Sequence, residues 1–197
     1  MLTIEKYCQI VLGECRVNGE VIFCSGTETV REFLGDLYRA AKVNYPKFFK
    51  MDVLAKAGFL ASELLLRGEN LGDGKRTAIF LANSSASLDT DKRYQETIGE
   101  PYFPSPSVFV YTLPNIVLGE ICIRHGIYGE NTFFVNPEFP VGFLCRYTGT
   151  VFEAAGLDRA LVGWLECCDN KCEAKIVLVG RENEGLVFNE ENINALK

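Results

Sequence analysis

Thr77-Ala78-Ile79-Phe80-Leu81-Ala82 is the stretch that decides the fold, because it is an almost unbroken apolar run bounded by turn residues. Such a run is typical of a β-strand that is covered on both faces, as in sheets that carry helices on each side. Gly72-Asp73-Gly74 precedes it, and a polar loop from Asn83 to Asp91 follows it. The run therefore predicts a central strand of a layered α/β sheet.

Two helices are predicted on the N-terminal side of this strand. Val30 to Ala41 repeats apolar residues with a period of 3.6, and Thr27 or Thr29 is a suitable N-cap for it. A second helix, Asp52 to Leu66, begins at an N-cap residue and is apolar around most of its circumference. That composition predicts a helix that is covered on more than one side.

Strands and helices continue to alternate along the rest of the chain. Two more helices are predicted, Asn115 to Arg124 and Gly142 to Ala155. The other predicted strands are Tyr7 to Leu12, Glu20 to Cys24, Thr132 to Val135, Arg159 to Cys167 and Lys175 to Gly180. This alternation predicts an α/β fold with a mixed, mostly parallel sheet and helices on its faces. The acidic segment from Glu182 to Glu191 is typical of a solvated edge.

Composition and charge exclude several classes of protein. A chain of 197 residues with 48% hydrophobic content is long and apolar enough to bury the core of one folded domain, which excludes disorder. The net charge of -6 and the absence of a basic run argue against a nucleic acid partner. Four prolines interrupt the longest uncharged run, Pro101 to Gly119, so no membrane span is predicted. With no secretory core at the N-terminus, a cytoplasmic location is expected.

The cysteines and the glycine-rich segment do not match known metal or nucleotide motifs. The closest cysteines are Cys167, Cys168 and Cys172, but no second ligand couplet follows them, and His125 is the single histidine. We therefore predict no metal site and expect free, mostly buried thiols. The glycine-rich segment from Gly68 to Arg76 has the wrong spacing for a phosphate loop and precedes a strand, so no cofactor is predicted.

A series of motifs between Lys50 and Glu166 is specific in its order and spacing. The motifs are Lys50-Met51-Asp52, the strand from Arg76 to Ala82, the polar loop from Asn83 to Asp91, the segments Ser105 to Asn115 and Gly119 to Ile123, Gly129-Glu130-Asn131, and Leu161 to Glu166. In this order they resemble the N-terminal half of β-ketoacyl-acyl-carrier-protein synthases. The resemblance implies a thiolase-like half-domain, with residues 1–197 forming a single β-ketoacyl synthase N-terminal-like domain.

The resemblance also implies where a catalytic nucleophile would stand. Catalytic members of the family carry a nucleophilic cysteine on a strand-to-helix elbow and two histidines in a second half. Aligning Gly129 and Gly163 with the family's glycines places the nucleophile position at Glu138, where a carboxylate forms no thioester. The nearest thiol, Cys145, falls inside the following helix. The second half is not expected, because the chain ends shortly after Glu166.

Three functions follow as hypotheses. The first is a non-catalytic, chain-length-factor-like subunit in carrier-protein-dependent fatty acid, polyketide or polyene biosynthesis. The second is a weak malonyl-carrier-protein decarboxylase or hydrolase that uses Glu138 as a base, although a structural loop at this position is favoured. The third is a binding module with an acyl or aryl pocket at Phe109, Tyr111 and Phe139, for which core packing or a subunit interface is an equal explanation.

The partners implied by the resemblance are a second copy of the chain or a full-length ketosynthase, with an acyl carrier protein as a further candidate. An isolated half of this fold is expected to leave an apolar face exposed, which association would cover. The predicted helix Asn115 to Arg124 and strand Thr132 to Val135 are the candidates for that face. On this prediction, Ile121→Asp would leave the protein monomeric or insoluble.

Overall fold

The apolar runs of the sequence assemble into one sheet of eight strands, in a computed structural model that describes residues 1–181 and 185–197. The strands are β1 Thr3–Val11, β2 Glu14–Val17, β3 Glu20–Cys24, β4 Thr77–Asn83, β5 Asn131–Val135, β6 Arg159–Cys168, β7 Lys171–Gly180 and β8 Leu186–Val187. Their order is β3-β2-β1-β7-β6-β4-β5, and β8 pairs with β1. All seven residues of β4 are buried, as its unbroken apolar run predicted.

The directions of the strands make the sheet mixed. β4 runs parallel to both of its neighbours, β5 and β6. The pairings of β7 with β6 and with β1 are antiparallel, as are those of β1 with β2 and of β2 with β3. The predicted α/β class with a mixed sheet is therefore confirmed, but parallel pairing is confined to β4 and is less extensive than predicted. The difference arises because β1 pairs with β7, a contact between the two ends of the chain.

The helices are α1 Val30–Ala40, α2 Val53–Leu66, α3 Leu88–Glu96, α4 Pro106–Phe109, α5 Ile116–His125, α6 Val141–Ala155 and α7 Glu190–Ala195, with a 3-10 turn at Pro46–Lys50. Thr29 and Asp52 cap α1 and α2 through their side chains, which confirms both predicted caps. α3 occupies part of the segment that was predicted to be a loop. The sequence does not reveal this helix, because Thr90 is its one buried residue and no apolar period marks it. No helix in residues 1–181 or 185–197 is long and apolar enough to cross a membrane.

The sheet is covered on both faces within the chain. One core lies under α1, α2 and α5, and the other lies under α6 and the C-terminal segment. Phe188, Ile193 and Leu196 of that segment join Ile4 and Val179 of the sheet in the second core. The Glu190 and Glu191 end of the predicted acidic edge forms the first turn of α7, while residues 182–184 lie outside the described residues.

The prediction that α5 contributes to an exposed apolar face is wrong. Ile121 is fully buried, and a side chain added at Gly58 of α2 would touch it. α5 packs on α2, so its apolar residues belong to the core of this chain. The outward side of α5 carries Ile123, which is 68% exposed.

The prediction of free thiols is also wrong for Cys167 and Cys172. These residues face each other across the β6–β7 hairpin with their Cα atoms 4.2 Å apart, and they form a disulfide. The hairpin turn at Asp169 and Asn170 has positive φ at both residues, as a two-residue turn of type I′ requires, and it sets this register. The remaining cysteines are free thiols: Cys8, Cys15, Cys24, Cys122, Cys145 and Cys168.

Candidate functional site

The carboxyl ends of β4, β5 and β6 meet at one edge of the sheet, where ligand sites commonly lie in α/β proteins. Glu166, near the end of β6, accepts hydrogen bonds from the loop that follows β4. The backbone N–H of Ser84 donates at 2.7 Å and its hydroxyl at 2.6 Å, and the backbone N–H of Ser85 donates at 3.1 Å. The Ser85 hydroxyl donates to the second carboxylate oxygen. The carboxylate thereby fixes the loop to β6.

The charge of Glu166 is stabilised by these contacts. Burial raises the pKa of the Glu166 carboxyl, but the hydrogen bonds from Ser84 and Ser85 outweigh it and hold the pKa below its usual value. A role for this cluster was not predicted from the sequence. The available signal was a pair of serines directly after β4 together with a glutamate at the end of a strand that pairs with β4.

Replacing Glu166 by Gln is expected to destabilise the protein at neutral pH by about 1–3 kcal/mol, because an amide offers one acceptor oxygen to four donors. The carboxyl pKa is lowered on folding, so the stabilisation is complete above the unfolded pKa and is lost as pH falls through the folded one. Urea unfolding from pH 7 downward measures this. Wild-type stability should approach that of the variant below about pH 4, whereas Glu96→Gln, on the exposed side of α3, should follow the wild type. Parallel pH profiles for the wild type and Glu166→Gln would contradict the assignment.

Glu138 lies at the same edge of the sheet, in the connection between β5 and α6. The Asn136 N–H donates to the Asn83 carbonyl at 2.8 Å, which ties the connection to β4. Phe139 stacks on Trp164 with ring centroids 5.7 Å apart. The Glu138 side chain itself is exposed, and within residues 1–181 and 185–197 no hydrogen bond or ion pair holds it. The structure thus supports a loop anchored on both sides of an unconstrained carboxylate.

Cys145 lies in the second turn of α6, as the sequence predicted. Burial raises the pKa of its thiol to about 11, and the charge of Glu190 adds to the effect. A thiol with this pKa stays protonated at neutral pH, and the thiolate is the nucleophilic form. Cys145 is therefore a packing residue.

The three aromatic residues of the predicted pocket do not share a cavity. Tyr111 belongs to the core under α1, α2 and α5, whereas Phe139 packs against the core on the other side of the sheet. Phe109 is 57% exposed and contacts Tyr94, with ring centroids 5.3 Å apart.

Tyr111 is held in place by a buried hydrogen bond. Its hydroxyl donates to Glu120 at 3.0 Å, and Lys47 lies 2.9 Å from the second oxygen of that carboxylate. Burial, and then the charge of Glu120, raises the pKa of the Tyr111 hydroxyl. Tyr111 therefore acts as a neutral hydrogen-bond donor.

His125 is the last residue of α5. Its Nε2 atom lies 3.3 Å from a carboxylate oxygen of Glu63 on α2, and Arg124 binds the same carboxylate. Burial lowers the pKa of His125 although Glu63 opposes this effect. These contacts join α5 to α2 and give the histidine a structural role.

Among residues 1–181 and 185–197, one trio of side chains has metal-ligand atoms close together. The ligand atoms of Asp89, Cys168 and Asp169 lie within 4.8 Å of one another. Lys92 already binds Asp169 at 2.7 Å, and burial raises the pKa of the Cys168 thiol. A protonated thiol and a neutralised carboxylate fit a metal ion poorly, so the prediction of no metal site stands as an expectation.

Comparison with known proteins finds similarity in structure. No family model matches the sequence, and no curated protein matches it. The ishigamide ketosynthase/chain length factor superposes with a TM-score of 0.65 at 16% identity, over 93% of this chain and 63% of that one. A ketosynthase in complex with its chain length factor from Xenorhabdus doucetiae gives 0.59 at 12% identity, over 92% of this chain and 80% of that one.

A β-ketoacyl synthase from Burkholderia phymatum STM815 gives a TM-score of 0.59 at 10% identity, over 98% of this chain and 60% of that one. The chain thus spans less than two thirds of the ishigamide and Burkholderia proteins. At these identities the likeness establishes the architecture. The chain adopts a mixed α/β fold that is similar to the fold of these ketosynthases.

Proposed function

We propose that this chain is a non-catalytic, chain-length-factor-like β-ketoacyl synthase subunit in carrier-protein-dependent biosynthesis of a fatty acid, a polyketide or a polyene. The structural likeness to proteins described as ketosynthases and chain length factors supports the proposal. The observation that carries it is the chemistry of the connection between β5 and α6. An exposed Glu138 stands at the position where the family resemblance expects a nucleophilic thiol, and Cys145 nearby is held in its protonated form.

Glu138 takes no chemical step in this proposal. A general base needs contacts that orient it and a pKa matched to its task. The carboxylate of Glu138 is exposed and has no hydrogen-bond partner in the described part of the chain. The loop is positioned instead by Asn136 on one side and Phe139 on the other.

The proposed partner is a full-length ketosynthase, with a second copy of this chain as the alternative, and an acyl carrier protein is proposed as the protein that delivers substrate. The edge strand β5 supports association. It pairs with β4, and no other strand of residues 1–181 and 185–197 pairs with it. An edge strand offers unpaired N–H and C=O groups to another chain. Val135 of this strand is 55% exposed.

Replacing Val135 by Pro is expected to weaken subunit association while the monomer stays folded. The N–H of Asn136 points to β4, so the alternation of a strand directs the Val135 N–H to the free edge, where proline removes it. Val135→Thr keeps this N–H and is the matched control. Sedimentation velocity of the purified assembly measures the effect. Unchanged association of Val135→Pro would show that the partner binds another surface.

A further inference from the structure

Two neighbouring clefts carry an excess of positive charge on a chain that is acidic overall. The first, of about 580 Å³, lies between α1, the 3-10 turn, α3 and α4, and its lining includes Arg31, Lys50 and Arg93. The second, of about 600 Å³, shares Arg31 and Phe49 with the first and includes Lys56. Because the net charge of the chain is -6, average surface composition does not account for this concentration of cations.

These cations form no ion pair with the carboxylates of the same clefts, which are Asp52 in the first and Glu32 and Asp36 in the second. In residues 1–181 and 185–197, no ion pair involves Arg31, Lys50, Lys56 or Arg93. Asp52, which lines the first cleft, accepts hydrogen bonds from the Ala55 N–H at 2.8 Å and the Thr90 hydroxyl at 2.7 Å, and Asp36 in the second cleft pairs with Arg39. Burial raises the pKa of Asp52, although its hydrogen bonds from Thr90 and Ala55 oppose this effect.

Lys56 is the most unusual member of the cluster. The residue is 4% exposed, and its ammonium group lies 5.6 Å from the centre of the Phe48 ring. Buried lysines are rare without a charged or hydrogen-bonding partner, since a charge removed from water must be compensated. Burial, and then the charges of Arg31 and Arg93, lower the pKa of Lys56 to about 8. An anion between these side chains would supply the missing compensation.

We propose that the clefts form a binding site for a small phosphomonoester that carries an apolar chain. The phosphate would lie among Arg31, Lys56 and Arg93, and the apolar chain would lie on Phe49 and Val110. A dianionic phosphate matches several converging cations better than a carboxylate does, because the planar guanidinium groups of arginine bind two of its oxygens at once. The site is independent of the proposed pairing with a ketosynthase.

Titration calorimetry with octyl phosphate below its micelle concentration tests the site. Octyl phosphate should bind more tightly than inorganic phosphate, which lacks the apolar chain, and more tightly than octanoate, which lacks the second negative charge. Arg31→Gln, Arg93→Gln and Lys56→Met should each weaken its binding by about tenfold. Arg146→Gln removes an exposed cation from α6, on the opposite face of the sheet, and should leave binding unchanged. The two arginine variants keep the test decisive if Lys56→Met does not fold.

Several results would overturn the proposal. They are the absence of saturable binding of octyl phosphate, equal affinity for octanoate, and equal losses in Arg146→Gln and Arg93→Gln. Sedimentation with vesicles of phosphatidylcholine and phosphatidic acid distinguishes a lipid headgroup from a soluble phosphomonoester as the ligand. Co-sedimentation that Arg93→Gln abolishes assigns a lipid headgroup, whereas binding of octyl phosphate without co-sedimentation assigns a soluble phosphomonoester.

Discussion

Ile121→Asp is expected to unfold the protein rather than to separate its subunits. Ile121 is fully buried between α5 and α2, so aspartate would lose the apolar contacts and place an unpaired charge in the core. Loss of a buried aliphatic side chain alone costs about 2–5 kcal/mol, and burial of an unpaired charge adds to it. That sum is comparable with the total stability of a domain of this size, about 5–15 kcal/mol. Circular dichroism and urea unfolding measure the loss.

Ile123→Asp provides the matched control for this experiment. The two isoleucines lie two positions apart on α5, but Ile123 is 68% exposed. The same substitution at Ile123 should change the free energy of unfolding by less than about 0.5 kcal/mol. Two variants of equal stability would contradict the placement of α5 against α2.

Gly163→Ala is expected to produce the second large loss of stability. Gly163 lies in β6, and a Cβ atom added there would stand 2.2 Å from the carbonyl oxygen of Lys175 and 2.7 Å from the Cα of Ile176 in β7. Both atoms are backbone, so relief requires the central strands to separate. We expect a loss of at least about 3 kcal/mol, at the upper end of the range for overpacked cores.

Gly149→Ala is the matched control, because it makes the same substitution at a position with free space. Gly149 lies in α6, and no atom stands within 4 Å of the position that its Cβ would take. Alanine is the better helix former by about 1 kcal/mol, so this variant should be slightly more stable than the wild type. Thermal unfolding of Gly163→Ala and Gly149→Ala measures both changes in stability. A stable Gly163→Ala protein would mean that β6 and β7 are packed differently.

The elements that the sequence predicts well have a strong local signal. β4 is a continuous apolar run, and α2 has both a side-chain cap at Asp52 and an apolar circumference. α3 escaped detection because its surface is polar and Thr90 is its one buried residue. The antiparallel pairing of β1 with β7 was not predicted from the sequence, for another reason. It joins residues near the two ends of the chain, and strand periodicity carries no information on which strands pair.

The site was less predictable because its parts are distant in sequence. Glu166 meets Ser84 and Ser85 only after β6 has paired with β4. The aromatic pocket failed for the converse reason, since hydrophobic character alone does not tell on which face of a sheet a residue packs. Tyr111 and Phe139 lie on opposite faces. The Glu138 position rests on a resemblance in motif order, and its role stays a prediction.

The most direct test of the central proposal is purification of the tagged chain from its native cells, followed by mass spectrometry of the intact assembly. A non-catalytic subunit of this fold is predicted to emerge with one full-length ketosynthase in a one-to-one complex. The ketosynthase should be absent, or strongly reduced, when Val135→Pro replaces the wild type and present with Val135→Thr. Recovery of the chain without a ketosynthase, from cells that make one, would contradict the proposed function.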